Sequence, residues 1–219
     1  LEKRGRVTNE ERRIGAAELL RELGHDFVAR TFDDDQLDEL TSQLGMVLDL
    51  VKKGEPRVRT FSSDRSGFAS MIPEGRSGGK HQLFLDSIVS GGANPMGLNA
   101  TVWREGDVAV MEVTLGRAFE GAPGRAHGGT IAALLDETMG VVHVLNEALA
   151  YTAQLDITYL APTPIGETIT ARAWLARREG RKLYIDASLH AGDVKLASAA
   201  ALFIAIDPAT FAQSPTDQS

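Results

Sequence analysis

The chain has 219 residues, no cysteine and a formal charge of −7, enough length for one sizeable core with a smaller extension beside it. The missing cysteine excludes disulfides, thiolate catalysis and cysteine-ligated zinc, and the acidic balance argues against a general affinity for nucleic acid. No stretch reaches the roughly 18 consecutive apolar residues of a membrane span, and the opening LEKRGRVTNEERR lacks the apolar run of a secretory signal, so no membrane span and a cytoplasmic location are expected.

Two helices are predicted before residue 56. Thr8 and Glu11 have the spacing of a capping box ahead of EERRIGAAELLREL, because a threonine hydroxyl and a glutamate three residues later can satisfy each other's backbone amides. Leu37, Leu40, Leu44, Val47, Leu48 and Val51 then recur at helical spacing until KKGEP ends the run. Acidic residues lead this second helix and lysines close it, as the helix dipole favours. Residues 1–56 are therefore read as a helical extension that packs on the domain or grips a partner subunit.

Residues 57–97 are rich in Gly, Ser and Pro and predict a loop or lid around the short apolar piece LFLDSIV. Within it GRSGGKH resembles a phosphate loop, but Gly75 stands four residues before Gly79 instead of five, and His81 occupies the Ser/Thr position. No phosphate loop is read there. Residues 98–208 form the main domain, and 209–219 a flexible tail. In the main domain VAVMEVTL alternates as a strand, the helix opened by His127-Gly128-Gly129 follows, and then come TAQLDITYL, ETITARAWLARR, KLYIDASLHA and VKLASAAALFIAI. The last run is apolar almost throughout, so it is expected as a central strand covered on both faces. Pro162 and Pro164 separate the first two of these four runs, and Glu179-Gly180 marks a hairpin between the second and third. One helix among successive antiparallel strands gives an α+β fold.

The central helix accepts two costly features, glycines at its start and Asp136 along an apolar sequence. Nine residues separate His127 from Asp136, which corresponds to about 13.5 Å of rise and half a turn beyond a whole number. The free amides at the start and the Asp136 carboxylate thus cannot reach the same atom within one copy, whereas a second copy with its helix antiparallel brings them together. Gly129, Ala133, Asp136 and Gly140 leave a slender stripe for a ligand or another backbone. Ile131, Leu134, Leu135, Thr138, Val142 and Leu145 face the other way, toward a sheet. This geometry predicts a site shared across a symmetric dimer. Helix-start amides stabilise an oxyanion, and a carboxylate either attacks an acyl carbon or deprotonates water, so the predicted chemistry is acyl transfer to water.

The run FEGAPGRAHGGTIAALLDETMG, followed by YTAQLDITYLAPTP, the EGRKLYI hairpin and SAAALFIAIDP, resembles the hotdog-fold acyl-CoA thioesterases of the PaaI type. Among them it is most similar to the branch of thioesterase superfamily members four and five. The resemblance covers about half the chain, from about Asn94 to Pro208, and leaves the first 90 or so residues unexplained. It implies an antiparallel sheet wrapped around a long helix, paired subunits with one continuous sheet, a homodimer or dimer of dimers, and a role in lipid metabolism. By the same resemblance Asp136 is the catalytic carboxylate, base or nucleophile. His127 and Gly128 are the helix-start pair, with the Gly128 amide polarising the thioester carbonyl, and Thr152 assists the carboxylate or its water from the same subunit. Arg181 and Lys182 meet the phosphates of coenzyme A. A related branch carries an asparagine where Gly121 stands, so that side chain's oxyanion support is missing. Two coenzyme-contacting positions of the closest branch are Thr158 and Leu160 here.

Independently of the resemblance, Arg177, Arg178, Arg181 and Lys182 gather on one turn of an acidic protein, a cluster suited to phosphates. His143 is read as a packing residue, and His25, His81 and His190 show no ligand spacing. With neither HExxH nor GxSxG present, neither a metal site nor a serine hydrolase is predicted. No cofactor is expected, coenzyme A being part of the substrate. Two other readings are a hotdog enoyl-CoA hydratase or dehydratase and a non-catalytic acyl-CoA-binding regulator.

Overall fold

The computed structural model describes residues 7–57, 68–76 and 84–207. Most of GRSGGKH and the expected tail 209–219 lie outside the described residues.

Both predicted N-terminal helices form. Helix α1 (Asn9–Ala29) starts at the Thr8 box, where the Thr8 hydroxyl accepts the Glu11 amide at 3.1 Å and the Glu11 carboxylate accepts the Thr8 amide at 2.7 Å. Helix α2 (Asp34–Lys52) carries a second box that the sequence reading missed, between Asp33 and Gln36. α1 buries Ala17 and Arg21, whereas α2 buries no side chain in the single chain and leaves Val47, Leu48, Leu50 and Val51 exposed. A one-turn helix, α3 (Phe68–Met71), lies in the segment expected as loop.

The rest is a six-stranded antiparallel sheet around one long helix. Strands β1 (Thr101–Glu105) and β2 (Val108–Thr114) come first, and β3 (Glu120–Ala122) and β4 (Arg125–Ala126) form a separate small ribbon. Helix α4 (Gly128–Leu145) follows, then β5 (Ala150–Tyr159), β6 (Thr168–Glu179), β7 (Lys182–Ala191) and β8 (Val194–Ala205). The sheet order is β1-β2-β6-β7-β8-β5. Ile131, Leu134, Leu135, Thr138 and Val142 of α4 are buried, the face assigned to the sheet by spacing. Each such leucine or isoleucine stabilises the fold by about 1.5–3 kcal/mol. Thr138 tolerates complete burial because its hydroxyl donates to the Leu134 carbonyl at 2.6 Å. His143 packs as expected, buried at the far end of α4 with Nδ1 on the Ala148 carbonyl and its ring 5.7 Å from that of Phe203.

Three sequence expectations need correction. β1 was not predicted; TVWRE pairs with β2 as the opposite edge of the sheet. β8 is not covered on both faces. It lies one strand from the β5 edge, and Ala200 on its outer side is exposed. An alanine run is apolar by composition yet small enough to lie open at little cost, so composition alone misjudged its surroundings. The β6–β7 turn has Gly180 and Arg181 as its central residues, between the paired Glu179 and Lys182, one position later than read. Gly180 adopts φ 57° at the first of these positions, which suits glycine.

Candidate active site

At the start of α4 the chain leaves β4 in an extended conformation, and His127 caps the helix with φ −65° and ψ 136°. Its Nδ1 accepts the Gly129 amide at 3.0 Å. Nδ1 is therefore an acceptor, and in the neutral ring the proton resides on Nε2. The Gly128 carbonyl accepts the Tyr159 hydroxyl at 2.8 Å. The peptide joining Gly128 to Gly129 is thus held at both its oxygen and its nitrogen. One bond earlier, the Gly128 amide is the first N–H of the helix, a position with no intrahelical acceptor. Gly128 lines a cleft of about 540 Å³ together with Arg125, His127, Ile131, Tyr159 and Leu160, among others. Partial positive charge at a helix start and an unobstructed glycine amide make this a place for developing negative charge.

Two turns further along, Asp136 is half-buried, and its Oδ1 accepts the Thr152 hydroxyl at 2.8 Å. The resemblance implies that Thr152 acts from the same subunit as Asp136, and this hydrogen bond lies within one chain. The neighbouring Glu137 is fully engaged. Its carboxylate accepts the hydroxyls of Ser87 and Ser90 and the Ser90 amide, which ties the segment 84–98 to the helix beside Asp136.

A bulge in β5 explains how one strand serves both ends of the helix. Thr152 pairs with Phe203 and Gln154 with Leu202, leaving Ala153 as an extra residue. A regular strand turns residues seven apart to opposite faces. The bulge resets the alternation, so Thr152 reaches Asp136 and Tyr159 reaches Gly128 from the same side of the sheet. Period-two reading from Thr152 hides Tyr159, and Glu137 has no sequence signal beyond its neighbour.

Within one chain the two halves do not meet. Gly128 and Asp136 are about 12 Å apart along the axis, and neither Asp136 nor Thr152 lines the helix-start cleft. The basic hairpin lies level with Thr152 but two strands away and on the outer face: Lys182 pairs with Ile204, which pairs with Tyr151, the neighbour of Thr152. Arg181 and Lys182 are exposed, and the Arg181 Nε–H is held on the Ala205 carbonyl at 2.9 Å. Arg177, expected among the phosphate-facing group, is instead ion-paired with Glu179 at 2.6 Å and lies over the Tyr184 ring at 3.8 Å. Thr158 is exposed on β5, the edge strand, paired with Ser198 of β8 on its other side.

Gly121, where the related branch has asparagine, lies against the cap. A Cβ built there would stand 2.9 Å from the His127 Cα and 3.2 Å from its Cβ, so no side chain fits without moving the histidine. Gly121→Ala is expected to cost about 1–3 kcal/mol of stability and to lower activity by displacing His127; a melting curve and a turnover assay check both.

An antiparallel sheet wrapped around a central helix with a glycine-opened start is the hotdog architecture. A crystal structure described as that of a thioesterase superfamily protein shares this fold over 88% of this chain and 90% of its own, with a TM-score of 0.74 and 23% identity. Residues 123–198 match the model of the Thioesterase superfamily. The chain is 39% identical over 95 residues to mouse acyl-coenzyme A thioesterase THEM4, covering 42% of this chain and 41% of the relative. Against human acyl-coenzyme A thioesterase THEM5 it is 33% identical over 78 residues, covering 36% of this chain and 32% of the relative. The chain thus spans well under half the length of either relative. Among the described residues no helix is long and apolar enough to cross a membrane.

Proposed function

We propose that the chain hydrolyses the thioester of acyl-coenzyme A to a free carboxylic acid and coenzyme A, at a site completed by a second copy. The observation that carries this reading is the division of one helix into two chemically complementary halves. One half offers a helix-opening glycine that lines an open cleft, its amide without an intrahelical acceptor, and the other a carboxylate braced by a threonine hydroxyl at 2.8 Å. β5, the strand that touches both halves, is the sheet edge beside them. Antiparallel pairing of two such edges sets the helix start of one protomer against Asp136 of the other. The names of the relatives agree with the chemistry.

The thioester carbonyl sits against the Gly128 amide of one protomer, while Asp136 of its twin takes a proton from water. The water oxygen bonds to the acyl carbon, and negative charge collects on the carbonyl oxygen at Gly128, aided by the dipole of α4. Collapse breaks the carbon–sulfur bond, and the departing thiolate recovers the proton from Asp136. In the nucleophilic alternative Asp136 bonds to the acyl carbon first, expelling the thiolate, and water then cleaves the anhydride. Thr152 orients the carboxylate in either course. Arg181 and Lys182 sit on the hairpin at the Asp136 end of the sheet and Thr158 beside Tyr159 at the Gly128 end; all three meet the coenzyme, the two cations its phosphates.

Release of free thiol from a panel of acyl-coenzyme A substrates by the purified chain tests the reading. Turnover is expected; binding of acyl-coenzyme A with no thiol release would make it a non-catalytic regulator instead. Single turnover in ¹⁸O-labelled water tests for an anhydride that water opens at its aspartyl carbon. Label in the free acid alone is expected for general-base attack, and label in the Asp136 carboxylate would identify the nucleophile.

A further inference from the structure

We infer that His25 of α1, a residue outside the matched superfamily region, is a positioning residue for the helix-start half of the site. The inference uses the thioesterase reading only for its activity readout. Three contacts build the His25 ring into the segment that precedes α4. Its Nδ1 accepts the Ala118 amide at 3.0 Å. Its ring meets the Phe119 ring edge-on at 5.2 Å between centroids. Gly116 lies so close beneath it that a Cβ there would stand 2.6 Å from Nδ1. The next link is direct: the Phe119 carbonyl accepts the His127 amide at 2.8 Å. His25 thus fixes Ala118 and Phe119, Phe119 fixes the backbone of His127, and His127 fixes the peptide that follows Gly128. Burial, and then the charge of Arg21, holds the His25 pKa below its ordinary value, which keeps Nδ1 free to accept.

α1 cannot drift away from this contact. Arg21 is buried, and its guanidinium donates to the carbonyls of Gly92 and Asn94 at 3.1 and 2.7 Å. Arg13 pairs with Asp86 at 2.6 Å. The segment they grip is the one Glu137 pins beside Asp136. One helix outside the matched region therefore braces both halves of α4, and His25 is the contact that reaches the cap.

His25→Leu keeps bulk but removes the acceptor; His25→Asn keeps an acceptor near the place of Nδ1. The leucine variant is expected to lower kcat by about tenfold to a hundredfold, with KM for acyl-coenzyme A within about twofold, and the asparagine variant to recover most of the loss. Amide hydrogen exchange at Ala118 and His127, read by NMR, is expected to accelerate in the leucine variant and not in the asparagine one. Gly116→Ala, which drives the ring out without touching His25, is expected to copy the leucine variant. Unchanged exchange at His127 in both His25→Leu and Gly116→Ala, or leucine and asparagine variants of equal kcat, would overturn the inference. Accelerated exchange in a chain that releases no thiol would leave His25 in this role and sink the thioesterase reading instead.

Discussion

Asp136→Asn lowers kcat for thioester hydrolysis by about 10² to 10⁴, the range that loss of a general base spans, while KM, oligomeric state and thermal stability stay close to those of the unchanged chain. The expectation of a clean kinetic effect comes from the local geometry. Asparagine has the same shape, and its carbonyl oxygen still accepts the Thr152 hydroxyl that Asp136 accepts at 2.8 Å. Asp136 is half-buried and accepts the Thr152 hydroxyl, and among the described residues it joins no ion pair, so removing the charge breaks none. Steady-state thiol release with a melting curve on the same preparations reads both arms. An unchanged kcat would remove Asp136 from the chemistry and leave the helix-start cleft without its complement.

The fold was largely legible because its strongest signals are periodic. The apolar stripe of α4 from Ile131 to Val142 faces the sheet as its spacing required, and the Thr8 box starts α1 where the pattern put it. The pairing of Thr152 with Asp136 entered through resemblance to a family, and the hydrogen bond agrees with it. Less was available wherever position depends on a departure from period. Tyr159 reaches Gly128 only because an extra residue at Ala153 shifts the alternation of β5, and nothing local in the sequence announces a bulge. Arg177 counted as a free cation on charge alone, although Glu179 two residues on and the cross-strand Tyr184 engage it. His25 was set aside for lack of ligand spacing, since its partners Ala118 and Phe119 are more than ninety residues away. Long-range docking of this sort has no short-range signature. Gly121 shows the reverse: its departure from the related branch was visible as a missing donor, and its cause, the crowding of His127, was not.

Gly128→Pro is expected to lower kcat by about 10² to 10³, the loss that follows removal of one oxyanion donor, without unfolding α4. Proline is suited to the first helical position, where its missing N–H removes no helix hydrogen bond. The residue before a proline must be extended, and His127 already is, with φ −65° and ψ 136°. A Cβ on Gly128 would meet the Tyr159 hydroxyl at 3.4 Å, an ordinary contact. This substitution and Asp136→Asn damage opposite ends of one helix, so mixing them asks where the site is. If each site takes Gly128 from one protomer and Asp136 from the other, a mixed dimer holds one site with both defects and one with neither. Random exchange of equal amounts makes half the dimers mixed, and activity is expected to recover to about a quarter of that of the unchanged chain. Each variant alone stays orders of magnitude lower. If the mixture is no more active than the average of its two parents, the amide and the carboxylate serve no common substrate, and the division of labour between two copies of α4 fails.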